Sequence, residues 1–167
     1  MNINPKHAEY LVQQLNVLLV DDNAFTRKLV RGLLNTIGVK SITEAGDGIA
    51  ALEMIRAAAP DVIILDWEMP LLNGPELVRI VRSPGVFPVP DVPIIMLSAH
   101  GERWRIVESV KLGVNEFLCK PVSAKSLLDR LISILLKPRA TVQFEGYYGP
   151  LPREPVSKER RGAIPAA

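Results

Sequence analysis

Only one of the 167 residues is a cysteine, Cys119. A single thiol excludes an internal disulfide framework and any multi-cysteine metal site within one chain, and it fits a reducing compartment. Charge of one sign is scarce too: 20 Lys and Arg against 18 Asp and Glu leave a formal +2. That surplus is too small for a protein that grips nucleic acid through a broad basic surface. Long apolar runs are missing as well. Aliphatic stretches such as Val62 to Leu65 and Ile134 to Leu136 fall far short of the roughly 20 residues that cross a bilayer. Met1 to Tyr10 carries neither a charged leader nor an apolar stretch of the kind that directs export. The expectation is a cytoplasmic protein with no membrane insertion and no direct nucleic-acid contact.

What is present is an ordinary globular composition, 48% hydrophobic and 23% charged, over a length that suits one domain. Apolar runs of strand length alternate with amphipathic stretches of helical length. The runs are Val17 to Val20, Ser41 to Ala45, Val62 to Leu65, Ile94 to Leu97 and Phe117 to Cys119. The first, third and fourth are continuously apolar, as central parallel strands are when helices cover both faces. Helices are expected at about Ala24 to Ile37, Ile49 to Ala59, Glu76 to Val81, Trp104 to Leu112 and Ser123 to Leu136. In the last, Leu127, Leu128, Leu131, Ile134 and Leu135 recur at helical spacing. Five strand–helix repeats make a parallel α/β sheet with right-handed crossovers. Before it, His7 to Leu15 suits a short helical turn, and Ser83 to Asp91, with three prolines and a glycine, reads as a stiff connector. From Pro138 onward come five of the 14 prolines and the whole net charge, with no helical or strand period. The chain therefore divides into an N-terminal extension (1–14), a folded domain (15–137) and a Pro-rich, weakly basic tail (138–167). The tail is expected to be mostly disordered, with a short ordered segment at Phe144 to Pro150.

In an open parallel sheet, ligands bind outside the carboxyl ends of the strands. There the sequence puts Asp21 and Asp22 after the first strand, Asp66 after the third, Ser98 after the fourth, and Lys120 with Pro121 after the fifth. Each alone reads as a turn former, a cap or a solvated side chain. The set is different, because carboxylates crowded together repel: at 4 Å a pair costs about 4 kcal/mol at an effective dielectric of 20 and about 1 kcal/mol in water. A hard divalent ion such as Mg²⁺, which takes carboxylate, water and phosphate oxygens, compensates, and Lys120 adds positive charge from the other side. These groups also suit phosphoryl transfer to a carboxylate. With Asp66 as nucleophile, the cation, Lys120 and the Ser98 hydroxyl each stabilise part of the charge spread over the phosphoryl oxygens.

LLVDDN at 18–23, LDWEMP at 65–70, NG at 73–74, LSA at 97–99 and FLCKP at 117–121 resemble the signature segments of bacterial two-component response-regulator receiver domains. The resemblance covers about residues 15–137 and is of the CheY-like, single-domain kind. It implies a flavodoxin-like, doubly wound five-stranded parallel sheet in the order 2-1-3-4-5. It also implies that Asp66 accepts a phosphoryl group from a histidine kinase or phosphotransfer protein, within a phosphorelay. Asp21 and Asp22 would hold Mg²⁺ together with Asp66 and the Glu68 main-chain carbonyl. Lys120 would contact the phosphoryl group, with a cis peptide before Pro121. On activation Ser98 would follow the phosphoryl oxygens inward and Phe117 would fill the space behind it. That shift would reshape the face formed by the helix over 104–112, the strand over 117–119 and the helix over 123–136, for a downstream protein or a self-dimer.

Departures from the family pattern accompany it. Phe117 replaces the tyrosine of many receivers, so only ring packing remains at the switch. Trp67 either shields the site or anchors the core beneath it. Glu68 and His100 flank the pocket where the family tunes hydrolysis, and the Glu68 side chain could repel or order the attacking water. Cys119 reads as a small buried hydrophobe. The 30 residues after the last helix are too few and too proline-rich for a DNA-binding effector. The main expectation is a phosphorylation-dependent signalling switch, not an enzyme in the ordinary sense, although it catalyses its own phosphorylation and slow dephosphorylation. The alternatives are a phosphorylation-independent scaffold or phosphate sink with a receiver fold, and a hydrolase with an aspartyl-phosphate intermediate, for which no substrate cap is present. The tail island Phe144, Tyr147 and Tyr148 is either a solvated remnant or a segment that docks on the chain's own fold, a second copy or a partner.

Overall fold

The computed structural model describes residues 4–153. Five parallel strands form one sheet: β1 (Asn16–Val20), β2 (Ser41–Ala45), β3 (Val62–Asp66), β4 (Ile94–Ser98) and β5 (Glu116–Cys119), in the order β2-β1-β3-β4-β5. The helices are α1 (Pro5–Gln13), α2 (Ala24–Ile37), α3 (Gly48–Ala57), α4 (Gly74–Val81), α5 (Arg103–Leu112) and α6 (Ala124–Leu136). The expected doubly wound fold is the one observed, with element ends within about two residues of those read from the periodicity. The opening segment is longer than a turn, because α1 buries Ala8 and Val12 and is capped by Asn4.

Alternation along the strands divides the core in two. Leu18, Val20, Ile63, Leu65, Ile94 and Met96 face Ala51 and Ile55 of α3 and Leu77, Val78 and Val81 of α4. Val17, Leu19, Val62, Ile64, Ile95 and Leu97 face Val12 of α1, Val30 and Leu34 of α2, and Leu127 and Leu131 of α6. Both faces of the central strands are therefore covered, which is why their sequences are apolar without alternation. Cutting a fully buried side chain such as Ile64 back to alanine should cost about 2–5 kcal/mol. Asn23, Asp47, Asn73 and Ser123 each accept a hydrogen bond from a first-turn amide of the helix that follows, a contribution of about 1 kcal/mol per cap. Helix α5 is the exception. It has no side-chain cap bond and buries only Ser109, leaving Trp104, Ile106, Val107 and Val110 exposed.

The connector after α4 is held from below. Arg82 is buried and donates to the carbonyls of Pro90 (2.8 Å), Val92 (2.6 Å) and Gly113 (3.0 Å) and to Asn115 Oδ1 (3.0 Å). Burial pulls its guanidinium down to about 10, still fully charged at neutral pH, and the carbonyl dipoles stand in for a carboxylate.

The tail departs from expectation. Thr141–Phe144 (β6) and Tyr147–Pro150 (β7) pair antiparallel as a hairpin, longer than the short ordered segment expected at 144–150 and lying where the composition predicts a mostly disordered tail. Its foothold is the turn after α5, where Gly113 has φ +90° and a Cβ would lie 2.7 Å from the Tyr148 carbonyl oxygen. Only glycine allows both that backbone conformation and that approach. Arg139 fastens the start of the tail to the Asn115 carbonyl at 2.6 Å and its end to the Leu151 carbonyl at 3.1 Å. Residues 154–167, the rest of the expected disordered stretch, lie outside the described residues. Among the described residues, no helix is long and apolar enough to cross a membrane.

Candidate functional site

Parallel pairing brings the carboxyl ends of β1, β3, β4 and β5 to one edge of the sheet, and the turns beyond them set the side chains. Asp21 is 2% exposed; its Oδ1 accepts from the Asn23 amide at 2.9 Å, and Arg27 donates to its carbonyl at 2.7 Å. Asp66, the last residue of β3, is 7% exposed. Gly74 lies against its backbone: a Cβ there would be 2.6 Å from the Asp66 carbonyl oxygen, so the glycine of the NG pair is what lets α4 begin beside the site. Lys120 follows β5; its amide donates to the Ser98 carbonyl at 2.7 Å, and the bond to Pro121 is cis.

These turns converge. Lys120 Nζ lies 2.8 Å from Asp66 Oδ1 and 3.3 Å from Asp21 Oδ2. Asp21, Asp22 and Asp66 each bring a carboxylate oxygen within 4.8 Å of the others. Asp22 is the exposed member. Among the described residues, Lys120 is the one ammonium paired within this group of three carboxylates, and it touches two of them, so the pocket is short of positive charge. Burial pushes the Asp66 carboxyl above the ordinary carboxylate range, and the charges of Asp21 and Asp22 push the same way against the Lys120 hydrogen bond. For Lys120, burial acts downward, but its pairing with Asp66 and Asp21 outweighs this and holds the ammonium above its ordinary value. The donor set is all oxygen and anionic, open on the Asp22 side, and it fits a hard divalent cation.

Ser98 is fully buried. Its Oγ accepts from the His100 amide at 3.1 Å and from Arg105 Nη1 at 3.3 Å. Arg105 was not among the residues singled out in the sequence. It also reaches Glu68 Oε1 at 2.9 Å, and His100 Nε2 lies 3.5 Å from the same oxygen. The Glu68 side chain therefore pairs with Arg105 beside the pocket, with the His100 ring close to the same oxygen. Trp67 is buried within the core and edge-on to Phe117, with ring centroids 6.4 Å apart. It anchors the core and also borders the open pocket formed with Glu68 and Arg105. Phe117 is half-buried against that same core. Cys119 corrects an expectation: it is exposed, not buried, because β5 is the edge strand and its last residue lies beyond the helices, with Sγ against Gly101.

Below the pocket, Ile106, Val110, Val114 and Phe117 line a groove of about 290 Å³ rimmed by Arg130, Arg139 and Arg153. The residues expected on the outward face, Ile106, Val110, Phe117 and Arg130, share this groove. Two of its three arginines come from the tail.

Comparison with known proteins agrees with the geometry. The family description "Response regulator receiver domain" matches residues 17–132. Chemotaxis protein CheY-3 of Vibrio cholerae is 32% identical over 124 residues, 74% of this chain and 94% of that protein. The structure of V. cholerae CheY4 superposes with a TM-score of 0.64 at 33% identity, covering 71% of this chain and 96% of the other. The receiver domain of the histidine kinase CKI1 from Arabidopsis thaliana, solved in complex with Mg²⁺ and BeF₃⁻, gives a TM-score of 0.60 at 28% identity, covering 77% and 95%. A buried aspartate at the end of the central strand, two neighbouring acids, a bridging lysine and this sequence likeness together place the chain in the response-regulator receiver family, the phosphorylation-dependent signalling switches of two-component systems.

Proposed function

We propose that Asp66 is the phosphoacceptor, taking a phosphoryl group from a phosphohistidine of a histidine kinase or phosphotransfer protein. The observation that carries this is the bridge from Lys120 to Asp66 and Asp21 within a three-carboxylate cluster. In the transfer, a carboxylate oxygen of Asp66 forms a bond to phosphorus as the phosphorus–nitrogen bond to the donor imidazole breaks, and the imidazole leaves with the electron pair. Lys120 pairs with a phosphoryl oxygen, and the Ser98 hydroxyl donates to another. Asp21, Asp22, Asp66 and the Glu68 carbonyl would hold Mg²⁺, which when bound supplies positive charge against the acids and the phosphoryl oxygens. The chain thus assists its own phosphorylation and its slow return to the free carboxylate.

The consequence is a change of protein contacts. Ser98 moves toward the phosphoryl group, Phe117 repacks, and the groove between α5, β5 and α6 changes shape for a downstream protein or a second copy of the chain. The functional unit is residues 15–137, preceded by an extension and followed by the tail, acting in the cytoplasm. The test is intact mass after incubation with Mg²⁺ and a small phosphodonor such as acetyl phosphate. A gain of one phosphoryl group that Asp66→Asn abolishes is the expected result, and labelling of Asp66→Asn at the unaltered rate overturns the assignment.

A further inference from the structure

One cation beside the pocket has no part in the phosphoryl chemistry just described. Arg105 sits in the first turn of α5 with its side chain only 13% exposed. Its guanidinium carbon lies 4.9 Å from the Trp67 ring centroid and 5.0 Å from that of Trp104, and the two indoles meet edge-on at 6.1 Å. Nη2 is held by Glu68 Oε1 at 2.9 Å, Nη1 donates to Ser98 Oγ at 3.3 Å, and Nε is buried without a hydrogen-bond partner among the described residues, Glu102 Oε2 standing 4.0 Å away, beyond hydrogen-bond reach. Two aromatic faces and the Glu68 carboxylate, with Glu102 at longer range, would anchor the cation without the serine. The bond to Ser98 and the unpartnered Nε mean that the side chain is not placed for its own best pairing.

The hydroxyl gives the reason. A serine oxygen has two lone pairs and one proton. Both lone pairs of Ser98 are engaged, by the His100 amide and by Arg105, so the proton is the part left to offer a new acceptor. If the hydroxyl moves toward an acceptor on Asp66, Arg105 loses Nη1's partner while Nε already lacks one. A buried guanidinium with two unpaired donors does not stay unchanged. Its anchors lead outward: Trp67 touches Phe117, and Trp104, 59% exposed, lies beside it on a helix with no side-chain cap.

We propose that Arg105 is a positioning residue that latches the Ser98 hydroxyl to the first turn of α5 at rest, so that phosphorylation of Asp66 releases α5 by removing Arg105's partner. The inference rests on Asp66 as acceptor and Ser98 as switch, and its test separates the two. Hydrogen exchange over residues 103–112 is measured with and without beryllofluoride plus Mg²⁺, in the unaltered protein, in Arg105→Met, which keeps length and loses every donor, and in Arg105→Lys. The unaltered protein exchanges several-fold faster there once beryllofluoride binds. Arg105→Met is already fast at rest and loses the response, while Asp66 still gains one phosphoryl group from acetyl phosphate. Arg105→Lys, able to hold Ser98 but not Ser98 and Glu68 together, recovers part of the response, which a packing role alone would not produce. An Arg105→Met response equal to that of the unaltered protein overturns the latch. No labelling and no response in the unaltered protein would instead remove the acceptor assignment and the latch with it. If Arg105→Met does not fold, Arg105→Leu, which likewise carries no donor, is read by the same criterion.

Discussion

Two buried carboxylates lie at opposite ends of β5 and β3, strands separated by β4, and the charge around them is balanced in opposite ways. Glu116, at the start of β5, is 4% exposed and meets two guanidinium groups, Arg130 at 3.1 Å and Arg153 at 2.5 Å. Asp66, at the end of β3, is 7% exposed and shares the Lys120 ammonium with Asp21, with the Asp22 carboxylate close by. One anion with two cations is a closed arrangement, and here it ties the tail to the domain. Three anions with one cation are an open one. Burial first, and then the charges of Asp21 and Asp22, raise the Asp66 carboxyl toward its neutral form. The difference separates a buried charge that serves stability from one that awaits a ligand.

The largest expected effects set the two sites against each other directly. Asp66→Asn should abolish labelling by a phosphodonor and, by removing one of three crowded charges, leave the fold as stable as before or more so, by about 1 kcal/mol. Glu116→Gln should leave labelling in place and destabilise, because two guanidinium groups lose their anion. The loss should be about 1–3 kcal/mol, below that of a fully buried pair, since Arg153 and Arg130 are partly exposed. Urea unfolding of the two variants checks the opposite signs. If both variants lose stability equally, the contrast does not hold.

Mg²⁺ should act on the open site, and pH should set how strongly it does so. A ligand that binds only the folded state at a hundredfold excess over its Kd adds about 2.7 kcal/mol. Asp66 is raised in the folded state, so near its titration the native protein holds more protons than the unfolded chain. Its contribution is therefore fully present below the ordinary carboxylate pKa and fades as pH rises through the raised folded value. Mg²⁺ needs the ionised form, so the gain in Tm on adding it should be larger at pH 8 than at pH 5. Thermal melts at both pH values, with Asp66→Asn as control, check this. An equal gain in that variant would show Mg²⁺ acting elsewhere.

The open site was far more legible in the sequence than the closed one. Asp21, Asp22, Asp66, Ser98 and Lys120 could be brought together because a parallel sheet sends every strand end to the same edge, whatever the loops do. Arg105 and Glu116 could not, because no strand-end rule sets their partners, Ser98 and Arg153, beside them; side-chain packing alone does. Cys119 was misread because its apolar neighbours Phe117 and Leu118 suggested a core run, whereas β5 is an edge strand. The hairpin was hidden by composition. Prolines and glycines around TVQFEGYYGP read as disorder, although the Glu145–Gly146 step between two short runs is a turn signal.

The smallest expected effect is also the sharpest use of the comparison. At Gly149 a Cβ would lie 2.8 Å from the Gly113 backbone, so Gly149→Val should push the hairpin off its foothold without touching the acceptor edge. Removing residues 141–167 should do the same and also take away Arg153. Both changes should weaken any partner or self-association that uses the groove, because the tail supplies part of its rim. Labelling of Asp66, in contrast, should change less than about twofold, which is under 0.5 kcal/mol. The physical reason is distance. Strand β5, four residues long, separates Glu116 from Cys119 and the lysine after it, roughly 10 Å or more at 3.3 Å per residue. At that range, and with no side chain shared between the two charge groups, stability effects should add to within about 0.5 kcal/mol. The Asp66→Asn/Gly149→Val double variant tests this in urea. A coupling well beyond that range would mean that α5 and β5 carry strain from the tail to the acceptor, and that the two carboxylates belong to one system.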